Sequence, residues 1–332
     1  MLSVGLLGAG RIGQVHAANI AHHKDSQLVA VSDVFAEPAS KLAKEYAIEV
    51  RSTEAILSDP AIDAVLIATS TDTHSDLIEA AVAAGKSVLC EKPVDLSLER
   101  AKRCQDVVAK SKQPVMIGFN RRFDPNFATL KAAFHAGDIG KGELLTVTSF
   151  DPAPPPVSYV KVSGGLYRDM MIHDFDIVCW LFGAVPQRVS AAGASLVDPE
   201  IGAAGDVDTA IVTLQFADGR LAVIKNSRRA AFGYDQRIEL LGSTGMLSAE
   251  NMLENTVVKA TSAGVTSAKP EHFFLERYNK AYQIEWNAFV EAIAAKTAFP
   301  ASLADGVNAL ALAEAANASL KQGKTIELAH FL

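Results

Sequence analysis

The stretch that decides the fold begins Leu2-Ser3-Val4-Gly5-Leu6-Leu7-Gly8-Ala9-Gly10-Arg11-Ile12-Gly13 and runs on to Asp33. Leu2–Leu7 is an apolar run of strand length and Gly8–Gly13 a glycine turn. Gln14–His22 suits a helix, and the apolar run Leu28–Ser32 ends on Asp33. Strand, tight turn, helix and a second strand closing on an acid are the parts of a dinucleotide-binding unit. Gly8 allows the sharp exit from the strand, Gly10 lets the backbone approach a pyrophosphate, and Gly13 lets the helix pack on the sheet. The helix start offers unpaired N–H groups and a partial positive charge to phosphates. Asp33 falls about 20 residues past the last glycine, where a carboxylate accepts hydrogen bonds from the adenosine ribose. It is followed by Val34 and Phe35, with no Arg or Lys to receive a 2′-phosphate, so NAD is favoured over NADP.

The chain has 332 residues, enough for two domains. It is 49% hydrophobic and 21% charged, as expected of a soluble globular protein with a large core. The net charge of −7 argues against a nucleic-acid partner. No apolar run approaches the ~18 residues of a membrane span. The start Met-Leu-Ser-Val carries no basic n-region, so no secretory leader is expected. Cys90, Cys104 and Cys179 are odd in number and lack CxxC spacing. They read as inert thiols in a reducing cytoplasm, with neither a disulfide framework nor a bound metal expected.

From Met1 to Gly118, apolar runs at Ala64–Ala68, Ser87–Cys90 and Val115–Ile117 alternate with helical stretches near Glu37–Tyr46, His74–Ala84 and Leu98–Lys110. Strands buried on both faces read this way, which predicts a doubly wound parallel sheet. Beyond it a helix over Pro125–Ala136 leads to a strand at Leu144–Phe150. The Pro-rich loop Asp151–Pro156 follows, opening toward Gly164-Gly165. This loop either borders a site or is a surface excursion. A helix from Asp169 to Leu181 comes next, then alternating segments at Arg188–Ser195, Thr209–Phe216, Leu221–Ser227 and Arg237–Leu241 that read as antiparallel strands. Two helices, Tyr278–Ala295 and Leu303–Lys321, close the chain. The expected fold is α/β: a Rossmann domain over residues 1–121, then an α+β domain over 122–332 with an open, largely antiparallel sheet. The last helix is free to pack back on the first domain.

Two stretches carry the chemistry. Cys90-Glu91-Lys92-Pro93 follows a strand, and in a doubly wound sheet ligands lie beyond the carboxyl ends of the strands. Lys92 is thus placed where a substrate would meet a nicotinamide, although a solvated loop lysine would also read this way. In the second stretch, Gly164 to Asp176, Asp169 and His173 are four apart and Asp176 three further on. On one helix all three share a face. A carboxylate one turn from a histidine can orient the imidazole for general-base work. Met170, Phe175 and Ile177 fall on other faces and read as core.

The glycine fingerprint, Glu91-Lys92-Pro93 and the Gly164-Gly165…Asp169-x-x-x-His173 pattern together resemble the glucose–fructose oxidoreductase / inositol dehydrogenase / MocA family, over the whole chain. Gly118–Asp124, Ser227-Arg228-Arg229, Phe232–Arg237, Glu276-Arg277-Tyr278 and Ala281-Tyr282 are similar to its inositol 2-dehydrogenase branch. The resemblance implies NAD-dependent oxidation of myo-inositol to 2-keto-myo-inositol by a homotetramer built through the open sheet. It implies that His173 takes the hydroxyl proton, Asp169 supports the imidazolium and Lys92 hydrogen-bonds the reacting oxygen. It places Arg11, Ile12, Thr69, Ser70, His74, Glu91 and Asn120 on the cofactor, with Asn120 also near the substrate ring. Asp151, Asp176 and Tyr234 are candidates for the other polyol hydroxyls, Tyr234 reading equally as a sheet residue. A noncatalytic NAD-binding regulator would lack the lysine or histidine, and both are present. A zinc-dependent alcohol dehydrogenase would need Cys/His ligands that the isolated cysteines do not supply. Scyllo-inositol, an aldose, or a glycoside oxidised transiently stay open as substrates, because the same three groups serve them all.

Overall fold

The computed structural model describes residues 1–111 and 113–332. The chain divides into two compact units: Met1–Phe123 with Ala281–Leu310, and Asp124–Lys280 with Ala311–Leu332.

The first unit starts β1 (Leu2–Leu7), α1 (Arg11–His22), β2 (Ser26–Ser32), α2 (Ala36–Tyr46), β3 (Glu49–Val50) and α3 (Thr53–Ser58). It continues β4 (Ala64–Ile67), α4 (His74–Ala83), β5 (Ser87–Glu91), α5 (Leu98–Lys110) and β6 (Val115–Gly118). The six strands are parallel in the order β3-β2-β1-β4-β5-β6. All residues of β4, β5 and β6 are buried, as strands covered on both faces must be. The order reverses between β1 and β4, the switch point beyond which doubly wound sheets bind ligands. Gly8, Asp33, Lys92 and Phe119 all lie just past strand ends on that side. β3 and α3 are too short and too exposed to show a period, and neither is foretold by the residue pattern. The later segment of the unit is anchored by Trp286, whose indole N–H donates to Ser26 Oγ at 3.0 Å.

The second unit holds α6 (Pro125–Ala136), β7 (Gly142–Phe150), α7 (Val157–Ser163), α8 (Gly165–Asp169) and α9 (Ile172–Phe182). After them come β8 (Arg188–Ala194), α10 (Pro199–Ala203), β9 (Thr209–Gln215), β10 (Leu221–Ser227), β11 (Asp235–Gly242) and β12 (Gly245–Ala249). The hairpin β13 (Val258–Thr261) and β14 (Gly264–Ser267) and then α11 (Phe274–Arg277) follow; α12 (Asn279–Ala295), nearly all of it counted in the first unit, α13 (Leu303–Gln322), divided between the two, and β15 (Ile326–Glu327) complete the chain. The larger sheet runs β12-β11-β7-β10-β9-β8-β15. It is antiparallel except at its centre, where β7 and β10 are parallel. Strands β9 and β10 alternate buried with more exposed residues, so one face is core and the other open. α6 shows the local logic of a helix start. Asp124 accepts N–H bonds from Asn126 and Phe127 at 3.0 and 3.1 Å, and Pro125 follows at the first position.

Two expectations are corrected here. The Pro-rich loop does not open directly into Gly164-Gly165, because α7 intervenes. The helix expected from Asp169 to Leu181 is broken: α8 ends at Asp169 and α9 begins at Ile172. The N–H groups of Met170 and Met171 both turn back to Leu166 O, at 3.0 and 2.9 Å, and α9 restarts from Met171 O. Met170, Met171 and Ile172 are all buried.

Candidate active site

In the first unit the three fingerprint glycines have three different reasons. Gly8 sits at φ +100°, and a Cβ there would lie 2.3 Å from Ala68 O. A Cβ on Gly13 would lie 2.1 Å from Gly8 O, so these two are fixed by the fold itself. A Cβ on Gly10 would meet nothing within 4 Å. Its bareness is therefore not needed for packing and fits a group that approaches from outside, as the pyrophosphate of a dinucleotide does. Gly10 caps α1 without a side-chain bond, and no acid stands in the first turn, which begins with Arg11 and Ile12. That end of the helix keeps its positive potential for an anion.

Asp33 Oδ2 accepts from Ala9 N–H at 2.6 Å, and Oδ1 from Phe35 N–H at 2.8 Å. The glycine turn and the end of β2 are thus tied together, and the carboxylate retains further lone pairs for a ribose. Val34 and Phe35 are 93% and 70% exposed, with no cation between them.

Thr69 and Ser70 form the loop after β4, Thr69 Oγ1 lying 2.7 Å from Thr73 Oγ1. His74 behind them is buried, with Nδ1 2.8 Å from Pro93 O and Nε2 3.2 Å from Thr69 O. Burial lowers its pKa despite these two carbonyls, so the ring is neutral and holds one N–H. The shorter contact assigns that proton to Nδ1, clamping the Glu91-Lys92-Pro93 turn to the start of α4. Glu91 closes β5, its Oε1 2.7 Å from buried His16 Nε2 on α1. A Cβ on Gly118 would come within 3.1 Å of the Glu91 carboxyl carbon, so the β6 backbone leaves room for that side chain. Lys92 is half-buried, and Asn120, just past β6, is buried. Its neighbour Arg122 is spent internally, donating to Pro300 O at 2.6 Å and pairing with Asp305 at 3.1 Å.

In the second unit His173 stands half-buried in the first turn of α9, with buried Asp176 three residues on. Asp169 belongs to α8 and not to their helix, so its approach is set by the break at Met170-Met171 rather than by helical spacing. Tyr159 of α7 donates its hydroxyl to Asp169 Oδ1 at 3.0 Å, and Arg228 Nη2 lies 3.6 Å from Oδ2. The residues after the Pro-rich loop thus reach this constellation. Asp151 continues from β7, its N–H donating to Ser227 O at 2.8 Å. Tyr234, just before β11, is buried edge-on against Tyr278, with ring centroids 6.0 Å apart.

Sequence reasoning missed a group beneath His173. Asp174 is fully buried and accepts from Ser149 Oγ at 2.6 Å and Asn226 Nδ2 at 2.8 Å. These bonds fasten the start of α9 to β7 and β10. The signal was present in His173-Asp174, but its partners stand 25 and 52 residues away in sequence and nothing local announces them. Tyr159 and Arg228 escaped for the same reason. Burial pushes the Cys104 thiol up to about 12 and that of Cys90 well above its usual value, and neither is a reactive thiolate.

The cradle around Gly10 fits NAD, and the comparisons agree. Residues 2–119 match a family described as oxidoreductase family, NAD-binding Rossmann fold, and residues 127–248 match the GFO/IDH/MocA C-terminal domain. An inositol 2-dehydrogenase of Rhizobium meliloti (strain 1021) is 49% identical over 325 residues, covering 98% of each chain. A solved myo-inositol dehydrogenase from Corynebacterium glutamicum superposes with TM-score 0.95 at 43% identity over 99% of both chains. A scyllo-inositol dehydrogenase from Lactobacillus casei, solved with NAD(H) and scyllo-inositol, gives TM-score 0.92 at 31% identity over 99% of both. Fold, fingerprint and full-length likeness lead to one conclusion: this chain belongs to the GFO/IDH/MocA family of NAD-dependent oxidoreductases.

Proposed function

We propose that the chain oxidises the C2 hydroxyl of myo-inositol to 2-keto-myo-inositol (scyllo-inosose), with NAD as the hydride acceptor. The observation that carries this reading is likeness to the Rhizobium inositol 2-dehydrogenase, 49% identical over 98% of each chain. Bound NAD supplies the acceptor for the carbon-bound hydride. Gly8, Gly10, Arg11, Ile12 and Gly13 present the turn and helix end to its pyrophosphate, and Asp33 accepts from its ribose. Thr69, Ser70, Glu91 and Asn120 line the groove, with His74 holding that wall from behind. His173 takes the hydroxyl proton as the hydride leaves carbon. Asp169 orients and supports the imidazolium, and Lys92 hydrogen-bonds the reacting oxygen as negative charge develops. Asn120, Asp151, Asp176 and Tyr234 receive the remaining hydroxyls.

The open sheet face carries apolar residues, among them Leu221, Leu241, Ile211 (51% exposed) and Met246 (57% exposed). Leu221 and Leu241 both pair with Leu144 in the sheet register. A second copy of this chain covers this face in the homotetramer we assign. The reducing cytoplasm is the compartment we assign to three free cysteines.

The test is NADH formation with NAD or NADP across myo-inositol, scyllo-inositol, D-glucose and D-xylose. Myo-inositol with NAD is expected to give the highest kcat/KM. A preference for scyllo-inositol, the second reading that the Lactobacillus structure supports, would keep the reaction and move the substrate. No turnover with NAD still bound would point to a regulator.

A further inference from the structure

The residue between β10 and the loop that follows it, Arg228, has no role in the reaction as assigned. Its side chain is 2% exposed, and its main-chain N–H donates to Asp208 O at 2.8 Å. A guanidinium stays charged at any pH the protein meets, so burying it demands an anion. Among the described residues Nε and Nη2 make no hydrogen bond. These two donors form one edge of the guanidinium fork, the edge that grips a carboxylate with two parallel bonds. The carboxylate within ion-pair distance is Asp169, whose Oδ2 is 3.6 Å from Nη2. Its other oxygen is held by Tyr159 of α7, which donates at 3.0 Å. Asp169 is therefore flanked by a neutral donor from α7 and a buried cation from the end of β10, and it ends α8 at the chain break before His173.

We propose that Arg228 is a positioning residue: it fixes Asp169 as a carboxylate in the place from which that group orients His173. Across Met170-Met171 the regular i to i−4 hydrogen-bond ladder is interrupted, both N–H groups turning back to Leu166 O, and the side chain of Asp169 gains a second anchor from the end of β10. The catalytic part of this inference rests on the dehydrogenase reading above. The charge pairing of Arg228 with Asp169 does not.

The experiment compares the full-length protein with Arg228→Met, Arg228→Lys, Asp169→Asn and the double variant Asp169→Asn/Arg228→Met. In denaturant unfolding, Asp169→Asn should cost clearly more stability in the wild-type background than in Arg228→Met, because only in the former does it strand a buried cation. In steady-state turnover Arg228→Met should lower kcat about tenfold or more, with NADH affinity within twofold of wild type. The acid limb of its pH profile should move to lower pH, since a displaced Asp169 no longer supports the imidazolium. Arg228→Lys should restore part of kcat and return the limb toward its wild-type position. Additive stability effects would overturn the pairing, whether or not any polyol turns over. Unchanged kcat and an unmoved acid limb in a folded Arg228→Met, alongside an active wild type, would overturn the positioning role while leaving the dehydrogenase reading intact.

Discussion

The glycine turn of the first unit and the Gly164–Asp176 segment of the second solve different problems. Around Gly8 to Gly13 the work is done by backbone: two glycines without which the chain would collide with itself, and one left bare toward open space. Around His173 it is done by side chains brought from β7, β10, α7 and α8, with Asp174 and Asp169 at the centre. A backbone solution is written in consecutive residues. A side-chain solution is written across the fold, and it fails by losing partners rather than by steric conflict.

The sharpest way to break this contrast is at the base. His173→Ala should lower kcat by about 10²–10⁴-fold, the range for removing a general base, while NADH binding titrated by fluorescence stays unchanged. Loss of cofactor binding instead would mean that the residue is structural. Next is Gly13→Ala, whose Cβ would fall 2.1 Å from a main-chain oxygen that cannot swing away. A destabilisation of about 3 kcal/mol or more is expected in denaturant unfolding. Asp174→Ala should cost about 2–3 kcal/mol, because it removes the acceptor of the buried Asn226 amide and the shorter of the Ser149 hydroxyl's contacts, the other being Gln236 Oε1 at 3.2 Å, and it should lower kcat as α9 loosens. A variant as stable as wild type would show that this network is not what fastens α9.

One buried side chain in the first unit goes against the backbone rule, and pH exposes it. Glu285 of α12 is fully buried, and burial, with the nearby Glu91 carboxylate, pushes its carboxyl well above the usual 4.5. The folded state keeps this proton while the unfolded chain gives it up above about pH 4.5, so the group's contribution falls as pH rises. Glu285→Gln removes that dependence. Its Tm should gain on wild type between about pH 5 and pH 8, with little difference near pH 4. The smallest effect belongs to Gly10→Ala. Its Cβ meets nothing, so stability should hold within about 0.5 kcal/mol, while NAD affinity drops about tenfold as the methyl occupies the phosphate's approach.

The two regions were also unequally legible. The strand bounds Leu2–Leu7 and Leu221–Ser227 and the helix bounds Leu98–Lys110 and Pro125–Ala136 could be read directly, because hydrophobic period and capping residues are local. β3, α7 and the β13–β14 hairpin could not, being short or exposed. In the candidate site the residue types at 92, 169 and 173 were legible. The break between Asp169 and His173 was not, since the residues on both sides of it and across it are all compatible with one helix. Arg228 was legible only within the Ser227-Arg228-Arg229 likeness to the inositol 2-dehydrogenase branch, and nothing local in the sequence announces its burial.

The central claim is hydride transfer from C2 of myo-inositol to NAD. It is tested most directly by supplying myo-inositol deuterated at C2 and weighing the reduced cofactor by mass spectrometry. Reduced nicotinamide should carry one deuterium, together with a primary isotope effect wherever chemistry limits turnover. Unlabelled NADH, or deuterium retained in the ketone product, would contradict it.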